Sequence, residues 1–519
     1  LLGIALRTAA LALGLAAAAA GLPAAAQAVD PAAAAGGIAA RPAGFTATAA
    51  RVRCQGAACP APAAPADPAL RFGIHGARTA GTTLIPDLLR GYARSLGGRF
   101  EIEETGDPAH RIARLYGADG GLRSEIDLRT PGSAEGLAGL AAGTAEIALT
   151  DRPLTGDDLE TLARAGIADL RGTAGEAVLA TDALVIITNP ANPVRDISAE
   201  EVARIYAGEI TNWRELGGGD VPIAVNSYPE GSHDRETLLG LLVRPLGREE
   251  TAQAARWSGY QGLVNAVMAD PGGIGYVGRW LASANPVNVL PLREVCGLHA
   301  EPTDFRIKIG AYPLSRSIHA YTRPGEIHPE ARAFLDWALG AEAQPWVRRA
   351  RFADRSLERM RLEDMGQALI HTAAVEPDFD GGQFSAMARE LRGADRLSLS
   401  FRFRSGSTRL DEISVRNAEE LARLIEADAF PGLEVLLVGF ADSVGPRGEN
   451  TRLAQARANR VRDIIARALT PAARARTPLV ALSFGELLPL SCNEDESGRE
   501  RNRRVEVWLR LPGSRSARR

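Results

Sequence analysis

The sequence predicts an α/β domain followed by a small α+β domain, and three observations carry that expectation. Short apolar strands alternate with helical patterns from Leu70 to about Ala350, as in Glu146–Thr150 and Ala183–Thr188 followed by Ser198–Ala207. The pattern breaks at Pro377 and Gly381-Gly382, and a second one opens at Leu397. With 519 residues, the chain has length for about three domains.

Residues 1–28 hold one basic residue, Arg7, an apolar stretch from Ala9 to Leu22, and small residues ending in Ala26-Gln27-Ala28. This order is that of a secretory signal peptide, with the mature chain expected to start at Val29. Residues 29–69 read as an Ala/Pro-rich linker, in which Pro60–Pro65 is a semi-rigid spacer and Cys54 and Cys59 close a local disulfide. The α/β domain takes 70–350, a helical connection 351–394, the α+β domain 395–511 and a basic tail 512–519. In the last domain the order is strand Leu397–Phe403, helix Ser414–Ala427, strand Leu433–Phe440, helix Leu453–Ala468, strand Val480–Phe484 and strand Arg504–Leu511. Cys296 and Cys492 either pair across the domains or remain two buried thiols.

Hydrophobic residues at 45% and charged residues at 24% exclude wholesale disorder and a multi-span membrane protein. No segment beyond the leader reaches the roughly 20 apolar residues of a membrane span. A net charge of -3 argues against a nucleic-acid binder. Lys308 is the single lysine, so the arginine content is set against general composition bias and given no functional weight. The seven histidines show no metal spacing, and no catalytic constellation or cofactor motif stands out, so no enzyme is expected.

Three loops in the first domain share one construction, a strand end, a Gly/Ser/Thr-rich turn and a helix start: Gly76–Thr83, Thr130–Ser133 and Pro229–His233. Converging helix N-termini with hydroxyls at Thr82, Thr83, Ser133 and Ser232 make an anion site, although each hydroxyl alone also serves as a helix cap.

The stretches Gly132–Leu154, Asp182–Pro190, Ile205–Trp213, Pro271–Val277 and Tyr312–Arg316 resemble the type II periplasmic solute-binding proteins of phosphate uptake, over roughly residues 70–350. The resemblance implies two α/β lobes, a hinge and an oxyanion, possible ligands being Thr82 or Thr83, Ser133, Asp151 and Ser232. The family's last loop reads Arg-x-x-Gly-Ser-Gly-Thr, whereas this chain has Tyr228 at the arginine and Asp234 at the threonine. A lost cation and an added carboxylate both disfavour a dianion, and Arg235 and Arg152 are the candidates to compensate.

Gly439–Gly445, Leu453–Val461 and Gly498–Glu506, with Phe403–Leu410, resemble the OmpA-like peptidoglycan-binding domain over about residues 395–511. Gly-Phe-Ala-Asp stands where that family has Gly-His-Thr-Asp, and the aspartate is kept. A diaminopimelate end is a zwitterion, so Asp442 for its ammonium and Arg457 for its carboxylate are the implied pair, with Asn502, Arg503 and Arg504 shaping the wall. The expectation is an exported, periplasmic, wall-tethered protein that captures or senses a small oxyanion. The alternative is a structural envelope protein whose first domain has lost its ligand and serves protein contacts.

Overall fold

The computed structural model describes residues 70–512, apart from 169, 172–174, 326, 376–378, 404–406 and 408–409. The expected leader, the linker with Cys54 and Cys59, and nearly all of the basic tail lie outside the described residues.

Period-two burial in the first domain marks strands with one face on the core, and fully apolar runs mark those covered on both faces. The first sheet runs in the order Arg99–Glu104, His110–Tyr116, Leu122–Arg129, Arg71–Gly76, Ile147–Thr150, Ser315–Tyr321 and Glu176–Thr188. The last of these is 13 residues long and leaves one sheet for another. Its first half pairs with Ser315–Tyr321, and Leu184–Thr188 pairs antiparallel with Gly273–Gly278. Beyond Gly273–Gly278 lie Ala224–Ser227 and Ala255–Arg256, and Asn288–Leu290 also pairs with the end of the long strand in the second lobe. Two lobes thus share continuous backbone at Asp182–Leu184 and Leu314–Arg316, which is the hinge the resemblance implied.

The closing domain is a sheet in the order Arg359–Arg361, Asp395–Arg402, Arg504–Arg510, Glu434–Phe440 and Leu479–Ser483. Helices Glu412–Glu426 and Arg447–Ala468 cover one face, burying Leu421, Ile425, Val461 and Ile465 against Leu397, Phe401, Leu437 and Val507. The connection 351–394 is not only helical. Arg359–Arg361 adds an edge strand, and helix Gly381–Leu391 places Met387 and Leu391 on the other face against Leu436, Val438 and Trp508. Those apolar side chains would face water without it, so the connection belongs to the closing domain's core.

Cys296 and Cys492 are disulfide-bonded, with Cα atoms 5.8 Å apart, which decides the open alternative for pairing across the domains. Around the bridge Glu294 accepts from Ser491 Oγ at 2.5 Å and from the Cys492 amide at 2.6 Å. Arg402 donates to the carbonyls of Ile309 and Gly310 at 2.9 and 2.6 Å, just before the second hinge strand. Arg416 pairs with Glu176 at 2.7 Å, where the first hinge strand begins. Among the described residues no helix is long and apolar enough to cross a membrane.

Candidate functional site

A cleft of about 690 Å³ opens between the lobes of the first domain. From the first lobe it is lined by Arg78, Ser133, Asp151 and Arg152, and from the second by Tyr228, Ser232, His233 and Tyr260. Ser133 starts the helix Ser133–Ala142, and that helix lies directly on strand Arg71–Gly76 because Gly136 has no side chain: a Cβ there would meet Gly76 Cα at 2.4 Å.

Asp151 is the centre of the cleft floor and is 4% exposed. Its Oδ1 accepts from Ser133 Oγ at 2.8 Å and its Oδ2 from Thr79 Oγ1 at 3.0 Å, while His233 Nε2 lies 3.5 Å away. Thr79 also meets the Tyr260 hydroxyl at 3.3 Å, joining the two lobes. Burial raises the Asp151 carboxyl, but Arg316, His233 and the two hydroxyls outweigh it and hold the carboxyl below its ordinary range.

None of the first-loop hydroxyls is in the cavity lining: Thr79 is buried behind Asp151, and Thr82 and Thr83 lie elsewhere. Thr82 lies in the π-helix Ala80–Leu84 and is exposed, its Oγ1 donating back to the Arg78 carbonyl at 2.8 Å. Thr83 Oγ1 is buried without a hydrogen-bond partner, away from the cavity lining. Ser232 lines the cleft at the start of helix His233–Leu238, its side chain making no cap bond.

Neither Arg235 nor Arg152 fills the place of the missing arginine. Arg235 is held by Glu250 at 2.8 Å and Glu236 at 3.0 Å, and Arg152 by Asp158. Tyr228 is buried in an edge-to-face cluster with Tyr260 and Tyr276, at ring separations of 5.6 and 5.3 Å. Arg78 is a guanidinium in the cleft lining, and a buried one, Arg316 on the second hinge strand, stands behind it. Arg316 contacts Asp234, meets Asp182 at 3.0 Å and lies 3.7 Å from Asp151. Burial lowers the Arg316 guanidinium, yet Asp234, Asp182 and Asp151 together raise it well above the ordinary value. Asp182 goes the other way, because burial outweighs the attraction of Arg316 and raises its carboxyl. Sequence reading passed over Arg316 because the residue's role depends on three carboxylates distant along the chain.

In the closing domain Asp442 follows strand Glu434–Phe440, and Arg457 lies on helix Arg447–Ala468. Arg457 is 0% exposed, donates through Nε to the Ser407 carbonyl at 3.1 Å and stands 5.2 Å from the centre of the Phe403 ring. Among the described residues its two terminal nitrogens have no hydrogen-bond partner. Burial and the neighbouring Arg503 push this guanidinium down to about 10, against the pull of Asp442. Asp442 accepts from Arg503 at 2.8 Å and from the Val444 amide at 3.1 Å. Asn502 is a clamp: its Oδ1 takes the amides of Leu490 and Ser491, and its Nδ2 donates to the Ser491 carbonyl. Arg504 is spent on buried Glu506 and the Leu488 carbonyl.

Residues 118–342 match the family model of the PBP superfamily domain, and residues 402–503 match that of the OmpA family. The chain is 26% identical over 221 residues to the phosphate-binding protein PstS of Bacillus subtilis, covering 43% of this chain and 68% of that protein. It is 36% identical over 78 residues to outer membrane porin F of Pseudomonas fluorescens, covering 15% of this chain and 23% of the porin. Among solved structures, an ABC-type phosphate transport receptor from Vibrio cholerae aligns with 54% of this chain and 98% of its own, at 21% identity and a TM-score of 0.40. The chain therefore joins a two-lobed type II solute-binding domain of the PBP superfamily to a domain of the OmpA family.

Proposed function

We propose that this is a binding protein of the periplasm, not an enzyme, whose closing domain holds diaminopimelate-type peptidoglycan while its first domain captures or senses a small phosphate-like oxyanion. The observation that carries the reading is Arg457: a buried guanidinium whose two terminal nitrogens have no partner among the described residues, in the helix that follows Asp442. A buried cation with unmet donors is costly unless a carboxylate completes it, and a stem-peptide carboxylate fits bidentately. Asp442 then takes the ammonium of the same zwitterion.

The cleft supports the second half. Ser133 and Thr79 both spend their hydroxyl protons on Asp151. A ligand hydroxyl can replace either on the carboxylate, which frees Ser133 Oγ–H to donate to the ligand's charged oxygen. Only an oxyanion that still carries a proton can do this, because a fully deprotonated one faces Asp151 charge to charge. Ser232 supplies a further donor from the opposite lobe. Thr82 and Thr83 are not part of this proposal.

The structural reading, a first domain that serves protein contacts, draws support from one observation: Arg316 already has three carboxylates around it. Calorimetric titration of the full chain separates the two. Hydrogen phosphate should bind modestly and better than sulfate. No response to any oxyanion at millimolar concentration moves the assignment to the structural reading.

A further inference from the structure

Arg316 and its three carboxylates are arranged by the fold in a way that bears on what the cleft admits. Asp151 follows strand Ile147–Thr150 of the first lobe, and Asp234 lies in helix His233–Leu238 of the second. Asp182 and Arg316 are register partners on the two hinge strands. All four side chains are buried. The terminal nitrogen Nη1 contacts Asp234 and lies 3.7 Å from Asp151, so one nitrogen joins a carboxylate of each lobe.

For stability alone, Asp234 is surplus. Asp182 already meets Arg316 through Nη2 at 3.0 Å and Nε at 3.3 Å, and Asp151 adds a second negative charge. The third carboxylate leaves its Oδ2 buried without a hydrogen-bond partner among the described residues, which costs free energy that a threonine, with one oxygen fewer, would not incur. Arg316 lies behind the lining rather than in it; of the guanidiniums that line the cleft, Arg152 is paired with Asp158, and Arg78 donates to the Ser258 carbonyl at 3.3 Å. Among the described residues Arg316 is the guanidinium that approaches Asp151, beside His233 at 3.5 Å, and Asp234 takes up its attraction from the second lobe.

We propose that Asp234 is the specificity determinant of the cleft: it holds, from within the chain, the guanidinium whose field would otherwise favour a fully deprotonated oxyanion. The proposal rests on the reading of the cleft as an oxyanion site. Removing the Asp234 charge leaves Arg316 paired with Asp182 and Asp151, so the hinge keeps its ion pairs while the cleft becomes more positive. Sulfate, which carries no proton for Asp151, gains most, and hydrogen phosphate gains less.

The test is calorimetric titration of the full chain and its Asp234→Asn and Asp234→Thr variants with inorganic phosphate and with sulfate. The expected result is a gain in sulfate affinity of about tenfold or more in both variants, with a smaller gain for phosphate and loss of most discrimination. Adding Arg316→Met to Asp234→Asn should abolish the gain. An unchanged phosphate-to-sulfate ratio, or a gain that survives Arg316→Met, overturns the proposal. If the parent chain binds neither ion and Asp234→Asn binds sulfate, the oxyanion reading of the parent fails while the role of Asp234 stands. If neither binds, the role of Asp234 is overturned as well. As a check on folding, sulfate should raise the melting temperature of Asp234→Asn more than that of the parent, and equal shifts count against the proposal.

Discussion

Asp151 brings together hydroxyls from two loops, a histidine from the second lobe and a hinge arginine. Because its carboxyl is held below the ordinary range, it stays ionised throughout the neutral region and remains a proton acceptor there. Phosphate keeps at least one proton between about pH 6 and 8, so its hydrogen bond to Asp151 should persist across that range, and complete loss of phosphate binding at about pH 8 would contradict the role given to Asp151. The same depressed carboxyl adds stability that is present above its unfolded value and is lost as pH falls through its folded one. Replacing Ser133 with Ala should lower phosphate affinity about tenfold, the worth of one hydrogen bond to a charged group, and calorimetry reads it directly. An Asp151→Asn variant that binds sulfate no better than the parent would contradict the role given to that carboxylate. The positions of three proposed ligand residues were legible, since Ser133, Asp151 and Ser232 all fall in the cleft lining. Thr79 was not legible, because its contact with Asp151 joins residues 72 apart in the chain and is buried behind the lining.

At the scale of elements, both sites depend on a helix pressed against a strand at a glycine. Gly439 in strand Glu434–Phe440 faces the helix bearing Arg457, and a Cβ there would meet the Ala454 carbonyl oxygen at 2.2 Å. Since that oxygen is backbone, the helix must shift to admit a methyl group. Gly439→Ala should destabilise the closing domain by about 1–3 kcal/mol and weaken peptidoglycan binding together, measured by urea denaturation and sedimentation with sacculi. Unchanged stability would show that the contact yields more easily than its geometry implies. The regular elements were readable from period and turn residues, and the helix predicted from Leu453 begins earlier, at Arg447. Strand Arg359–Arg361 was not readable: three residues carry no periodicity, and the strand exists because an edge of the sheet receives it.

For the molecule as a whole, the closing domain docks across the hinge of the first. Arg416 reaches Glu176 at the start of one hinge strand, Arg402 reaches the carbonyls before the other, and the Cys296–Cys492 bridge fixes the loop beside Glu294. That pairing spans 196 residues of sequence and lies beyond any local pattern, which is why the cysteine count alone left it open. Closing so long a loop typically stabilises by about 2–4 kcal/mol. Cys296→Ser/Cys492→Ser should therefore lower the melting temperature and let the two domains unfold separately in a calorimetric scan. A single unshifted transition would mean that the noncovalent contacts suffice.

The central claim, that one chain holds the wall and a small oxyanion together, meets its most direct test in a single sedimentation measurement. Diaminopimelate-type sacculi are pelleted with the full chain and labelled phosphate, and both protein and label are counted in the pellet. The account predicts that protein and phosphate sediment together, and that Arg457→Ala leaves both in the supernatant while remaining folded. Arg457→Ala protein sedimenting as fully as the parent, or parent protein in the pellet without phosphate above the sacculi background, would contradict it.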